Sequence, residues 1–366
     1  MNNKLLALAI FAAIAASVSP CMAQDGEIRA MMIKLGNNLH AEPLSPDYIP
    51  VSHRQKERAL SDNLRFDEEV WREVTERMAE KGFNMVVLAL GEGVVYPSHP
   101  ELAVNGSWSA DKLKEELRRL RELGLEPIPK LNFSTTHDTW LKEYHRMVST
   151  AKYYEVCADL IRDVAELFDH PRFIHLGYDE EMPVAQEESA YIVVRQGELW
   201  WHDFEFFRRE VEKHGARAWI WSDYLWHHRD EYLRRMPKSV LQSNWYYRTD
   251  FSPEICSREL MEGRIMASAW PEAVAGPSAF IDLEEAGFDQ IPCGSIWATE
   301  RNMDALVPFC REHIGAARLK GFLMAPWLMT VARNREGLLK AVDIAGEAMG
   351  GLESSGCNRR ENMKKY

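Results

Sequence analysis

Phe173-Ile174-His175-Leu176-Gly177-Tyr178-Asp179-Glu180 is the stretch from which the fold of this chain is read. An apolar run ends directly in a carboxylate pair. A strand buried on both faces reads as a continuous apolar run, because each face meets a hydrophobic layer. The two acids therefore stand at the C-terminal end of such a strand. In parallel sheets covered by helices, that end is where ligands and chemistry collect.

The same pattern repeats on either side. Apolar runs at 29–33, 83–90, 126–131, 173–178, 216–221, 240–245, 290–297 and 321–327 are strand candidates. Between and after them lie stretches with helical spacing at 66–81, 109–123, 152–168, 204–214, 231–236, 280–286, 303–313 and 336–349. Ser109 supplies an N-cap, and Gly82, Gly124, Gly215 and Gly287 supply stops. Eight strands alternating with helices predict an α/β chain folded as a (β/α)8 TIM barrel. The competing architecture is an open doubly wound sheet. No G-x-G-x-x-G follows the first strand and no P-loop occurs, which disfavours nucleotide-binding versions of it. A further apolar run at 264–268 competes with the later strands for a place in the sheet.

Composition narrows the class. The chain has 366 residues, 46% of them hydrophobic and 27% charged, which is ordinary globular usage. Its net charge of -12 disfavours a nucleic-acid partner. Twelve Trp are more than an average soluble protein carries, and Trp stacks on flat apolar faces such as those of sugar rings. Lys4, the apolar run 5–18 and the small residues Cys21 and Ala23 before Gln24 read as a secretory signal peptide. The expected organisation is a signal peptide at 1–23, a single catalytic barrel at 24–349 and a polar C-terminal tail at 350–366. The protein is expected to be exported, periplasmic or extracellular. Lipid anchoring through Cys21 is the weaker alternative, because Pro20 stands where a small residue is wanted. No later run is long enough to span a membrane. Cys157, Cys256, Cys293, Cys310 and Cys357 show no metal spacing, and no cofactor or metal is expected.

The residues that follow each strand define the candidate cleft. They include Lys34, Asn37, Asn38 and His40 after the first, Glu92 and Tyr96 after the second, and Lys130, Asn132 and His137 after the third. Asp179, Glu180 and Glu181 follow the fourth, Trp221, Asp223 and Trp226 the fifth, and Trp245, Tyr246 and Tyr247 the sixth. Trp297 and Glu300 follow the seventh, and Trp327 the eighth. Carboxylates ringed by Trp and Tyr describe a carbohydrate-cleaving cleft better than a phosphate site. Glu181 is set aside from the pair, because the chain is expected to turn there, close to Pro183.

His-x-Gly-x-Asp-Glu at the end of the fourth strand resembles the motif of glycoside hydrolase family 20, the β-N-acetylhexosaminidases. Other pieces resemble the family's in order. Arg29 matches its sugar-binding Arg, Pro129-Lys130-Leu131-Asn132 with His137 its Pro-Glu-Ile-Asp…His segment, and Trp221-Ser222-Asp223 its Trp and acid. Gln242 with Trp245, and Trp297 with Glu300, match its later Gln…Trp and Trp…Glu pairs. The chain departs from the pattern at Tyr178, at Lys34, and at Lys130 and Asn132, which replace two acids.

The resemblance implies substrate-assisted retaining hydrolysis, in which the substrate's own 2-acetamido oxygen attacks the anomeric carbon. It implies Asp179 and Glu180 as the catalytic pair. Arg29, His137, Trp221, Asp223, Trp245, Tyr246, Trp297, Glu300 and Trp327 are the implied substrate-binding residues, with Tyr247 an alternative to Tyr246. The partner would be a carbohydrate or glycoconjugate, and the oligomeric state stays open. Two alternatives remain. One is a glycosidase for another sugar, with Glu180 as acid and Asp223 or Glu300 as nucleophile. The other is a barrel that binds glycans without cleaving them. The targeting reading has its own check: intact-mass analysis of exported protein is expected to show a chain beginning at Gln24, without a lipid adduct on Cys21.

Overall fold

The computed structural model describes residues 26–40, 59–181, 195–252 and 270–350. Its strands are β1 (Ile28–Lys34), β2 (Met85–Ala89), β3 (Glu126–Lys130), β4 (Phe173–His175), β5 (Arg217–Trp221), β6 (Leu241–Ser243), β7 (Cys293–Gly294) and β8 (Gly321–Met324). All pairings are parallel, in the order β6-β5-β4-β3-β2-β1-β8-β7. Parallel bridges Gln242↔Gln290 and Trp245↔Cys293 join the two ends of that order and close the ring. This is the expected (β/α)8 barrel. Helices such as Glu68–Glu80, Ala110–Glu122, Ala151–Leu167, Glu198–Lys213 and Arg335–Gly350 surround it. The run 264–268, the expected signal peptide, the tail beyond Gly350, and Cys256 and Cys357 lie outside the described residues. Among the described residues no helix is long and apolar enough to cross a membrane.

Why these runs become strands follows from the two cores. Ala30 and Met32 of β1 belong to a cluster inside the barrel with Met85, Val87, Ile128, Trp219, Leu241 and Leu323. Met31 and Ile33 point the other way, into the layer between barrel and helices. Every strand position except the half-buried Arg29, Lys34, Glu126 and Arg217 is thus buried, and period-two alternation disappears from the sequence. The expected Ser109 cap forms, and Thr150 supplies another. Ser109 accepts from the Lys112 N–H, and Thr150 accepts from the Tyr153 N–H. The helix Glu198–Lys213 starts earlier than its spacing suggests, because Trp200 and Trp201 in its first turns both find burial.

One seam is unusual. Pro127 and Pro129 sit within β3, where they cannot donate to a ladder. Glu126 donates toward β2 through Asn84, whereas Leu131 donates toward β4 through His175, so the missing donors belong to the β4 side. The β3·β4 register is accordingly reduced to Lys130↔His175. Leu131 N–H to His175 O (2.9 Å) and Phe133 N–H to Leu176 O (3.0 Å) continue it upward, at the C-terminal rim.

Closure between β1 and β8 depends on Gly321. Its φ is +144°, and a Cβ there would lie 2.0 Å from the Ile28 carbonyl oxygen. Gly321→Ala is expected to cost about 3 kcal/mol, read as a fall in Tm in thermal denaturation.

Candidate active site

Strand parity decides which side chains reach the cleft. Inward positions continue upward from the barrel cluster, so Lys34, Lys130 and His175 face inward at one level, linked by the register Lys34↔Ala89, Ala89↔Lys130 and Lys130↔His175. Above them, beyond the strand ends, stand Asp179, Asp223, Trp245, Tyr247 and Trp327.

The loop after β4 is bent sharply. Gly177, Tyr178 and Glu180 have φ of +74°, +71° and +54°. Gly177 is obligatory in that bend: a Cβ would meet Asn132 Oδ1 at 2.2 Å. A non-glycine residue with positive φ stores strain that its surroundings must hold in place, and such residues gather at functional sites. Here the holders are visible. Ser134 Oγ and Thr136 Oγ1 donate to the Asp179 carbonyl, the latter at 3.3 Å. The Glu180 N–H donates to Asp223 Oδ2 at 2.8 Å. Tyr178, the departure from the family pattern, turns outward and packs on Trp200 with centroids 5.0 Å apart.

Three consecutive acids thereby part company. Asp179 is buried, and its Oδ1 accepts from Asn132 Nδ2 at 3.3 Å. The Glu180 side chain is 44% exposed, and its Oε2 lies 3.4 Å from His137 Nε2. His137 Nδ1 is in turn held by Thr136 Oγ1 at 2.6 Å. Glu181 is buried on Arg195, 2.6 Å away, and accepts from the Thr135 N–H at 2.7 Å. Arg195 also donates to the Phe133 carbonyl at 2.5 Å, which ties the loop after β3 to the loop after β4. Sequence reasoning missed Arg195. It follows the residues 182–194, and no motif marks it.

Burial tunes the titratable groups. Asp223 is raised to about 8, chiefly by desolvation and then by the neighbouring Asp179 charge. It therefore carries a proton near neutrality. Lys130 is lowered to about 8 by desolvation, against the pull of Asp179. Burial holds His175 well below the usual imidazole range. Its Nδ1 accepts from the Gly177 N–H at 3.0 Å, so the proton of the neutral ring is on Nε2, which has no hydrogen-bond partner among the described residues. The ring lies against Trp219 and Trp221, 5.0 and 4.6 Å away.

Aromatic rings form a wall. Trp226, Trp245 and Tyr247 follow one another at 4.4 and 5.1 Å, and Trp327 lies 5.7 Å from Trp221. Trp327 Nε1 donates to the Tyr247 hydroxyl at 3.0 Å, and Trp245 Nε1 donates to Asp223 Oδ1 at 3.4 Å. Trp327 itself has a φ of +57°.

The structure thus gathers Asp179, Glu180, His137, Asp223, Trp221, Trp245 and Trp327. Four expected binding residues lie elsewhere. Arg29 is at the opposite end of the barrel, on an outward position of β1, beside Gly82 and 3.7 Å from Glu27. Tyr246 also faces outward: it is fully buried in the helix-side core, and its hydroxyl donates to the Asp250 carbonyl at 2.6 Å. Tyr247 takes the inward place. Glu300 is a surface residue, paired with Lys340 at 2.5 Å, which removes it as a nucleophile. Trp297, just beyond β7, is 46% exposed and stands outside the aromatic wall. Among the described residues no cluster of His, Cys, Asp and Glu is arranged to hold a metal.

No family model matches the sequence, and no curated protein matches it. Solved structures do match the fold. The GH20 exo-β-N-acetylglucosaminidase from Vibrio harveyi, solved with N-acetylglucosamine, aligns at a TM-score of 0.56 over 88% of this chain and 54% of its own, with 13% identity. The Streptomyces plicatus N-acetyl-β-hexosaminidase in complex with Thio-NAglucal gives 0.54 over 87% and 63%, with 14% identity. The β-N-acetylhexosaminidase from Bacteroides fragilis gives 0.54 over 86% and 65%, with 12% identity. The chain spans between about half and two thirds of the length of these structures. The likeness is one of fold: this barrel has the architecture of the GH20 hexosaminidases.

The raised Asp223 has a consequence for stability. The folded state keeps a proton that the unfolded state loses above 3.8, so Asp223 lowers stability progressively as pH rises from 3.8 to about 8. Asp223→Asn is expected to match the wild-type Tm near pH 4 and to exceed it at pH 8. Thermal melts across that range check the sign.

Proposed function

We propose that this barrel is a glycoside hydrolase of the hexosaminidase type, exported, and removing a terminal N-acetylhexosamine by substrate-assisted retaining hydrolysis. The observation that carries the reading is the strained turn at 177–180, which separates a buried Asp179 from a half-exposed Glu180 in one cleft. The GH20-type fold supports it.

Glu180 is the general acid. It is exposed toward the open end of the cleft and lies within reach of His137. It protonates the leaving oxygen as the 2-acetamido oxygen closes on the anomeric carbon, and the glycosidic bond breaks. The resulting carboxylate then takes a proton from the water that opens the oxazolinium ring. Asp179 receives the acetamido N–H and stabilises the positive charge that develops there. A fixed carboxylate in a water-poor cleft acts strongly on such charge. The Tyr247 hydroxyl, which accepts from Trp327 Nε1, stands in the same wall. The aromatic wall packs against the sugar's apolar face.

The conventional alternative needs a second ionised carboxylate as nucleophile. Asp223 holds a proton near neutrality and is committed to the Glu180 N–H, and Glu300 is on the outer surface. Both observations disfavour it.

A screen of aryl β-glycosides with and without a 2-acetamido group tests the reading, and turnover is expected only with it. Glu180→Gln is expected to lower kcat for unactivated leaving groups roughly a hundredfold to ten-thousandfold, and less for nitrophenyl groups. Glu181→Gln leaves Arg195 with Asp203, 3.5 Å away, as its remaining buried anion, so the loss is expected in stability, by about 3 kcal/mol, read as a fall in Tm. A stable 2-fluoroglycosyl adduct on Asp223, seen by mass spectrometry, would end the substrate-assisted mechanism.

A further inference from the structure

Lys130 is a buried cation that the proposed reaction does not use. It is 3% exposed, on the last residue of β3, and points into the barrel mouth. Among the described residues no hydrogen bond or ion pair engages its ammonium group. Asp179 attracts it, but Asp179 already accepts from Asn132. The titratable groups facing it are Lys34 on β1, beyond β2, and the neutral His175 and Asp179 from β4 and its loop. Lys34 and Lys130 line one small cavity together with Met32, Asn132, Trp140 and Trp327. The cavity has room for about one water-sized group, and among the described residues no acidic side chain lines it. Lys34 Nζ also lies over the Trp327 ring, 5.5 Å from its centroid.

Burying an ammonium without a partner is costly, and such groups are ordinarily paired. Where the protein supplies no partner and the charge faces a ligand cleft, the ligand is the remaining source. We infer that the sugar accepted here carries an oxyanion, a carboxylate or a sulfate ester, one oxygen of which enters the small cavity and is held by Lys130 with Lys34 beside it. The inference rests on the reading of this cleft as a sugar site and narrows it to anionic glycones.

Calorimetric titration of the whole protein separates the possibilities. The probes are D-glucuronate, N-acetylglucosamine 6-sulfate and the neutral sugars D-glucose and N-acetylglucosamine. At least one charged sugar is expected to bind tenfold or more tightly than its neutral counterpart, and which one identifies the oxyanion. Lys130→Met is expected to equalise charged and neutral sugars and, by removing a buried charge, to raise the Tm of the free protein. Equal binding of charged and neutral sugars by the wild type overturns the inference, and so does a charge preference that survives in folded Lys130→Met. If that variant does not fold, the wild-type comparison decides alone. Cleavage of neutral 2-acetamido glycosides with no charge preference overturns this inference and leaves the hydrolase reading intact. Charge-selective binding with no turnover of matching aryl glycosides does the reverse.

Discussion

Three acids in a row at the rim of a barrel cannot share one environment, and the upper half of this molecule is arranged around separating them. A buried carboxylate needs donors or an opposite charge. Glu181 finds both in Arg195 and the Thr135 N–H, and this costs the chain a buried arginine stacked on Tyr178. Asp179 finds the Asn132 amide. Glu180 is left facing the cleft. The positive φ at Tyr178 and Glu180 is the conformational consequence, and the hydroxyls of Ser134 and Thr136 hold the bend. Almost every constraint on the pair comes from the loop after β3 or from Asp223 after β5. The geometry of the site is therefore a property of three adjacent strand ends rather than of the motif alone.

Burial works in opposite senses on the two groups nearest this pair. It makes Asp223 hold a proton longer and makes Lys130 give one up sooner, since each is pushed toward its neutral form. Both reach about 8. An acid and a base that begin far apart on the pH scale thus meet in one cleft. The cleft's net charge is consequently most changeable just above neutrality, although its carboxylate count suggests a uniformly acidic site.

The barrel was legible in the sequence because burial on both strand faces leaves long apolar runs, and because Gly82, Gly124, Gly215 and Gly287 adopt the positive φ that ends a helix. The parting of Glu181 from Asp179 rested on an expected turn and not on parity: strand alternation alone sends both the same way, and the turn lies at 177–180. Parity was not carried far enough elsewhere. Counting from Leu241 and Ser243 through Trp245 places Tyr247 inward and Tyr246 outward. Counting from Ala30 and Met32 places Arg29 outward, whatever the family pattern suggests. Glu300 lay beyond such counting. Its neighbour Lys340 is on a distant helix, and local sequence contains no trace of a pair made between a loop and a helix that meet only in the fold.

The prolines of β3 give the site a second significance. With the lower β3·β4 ladder unstitched, the seam is held at its foot by the Arg172–Glu126 pair and at its rim by Lys130, Leu131 and Phe133 and by the side chains that cross above them: Asn132 to Asp179, Ser134 to the Asp179 carbonyl, and Arg195 to both Glu181 and Phe133. On the proposed reading the reacting groups are also the upper clasp of the barrel. The site and this part of the ring then draw on the same contacts. Drift at these positions is restrained twice, once by chemistry and once by the architecture that the chemistry holds shut.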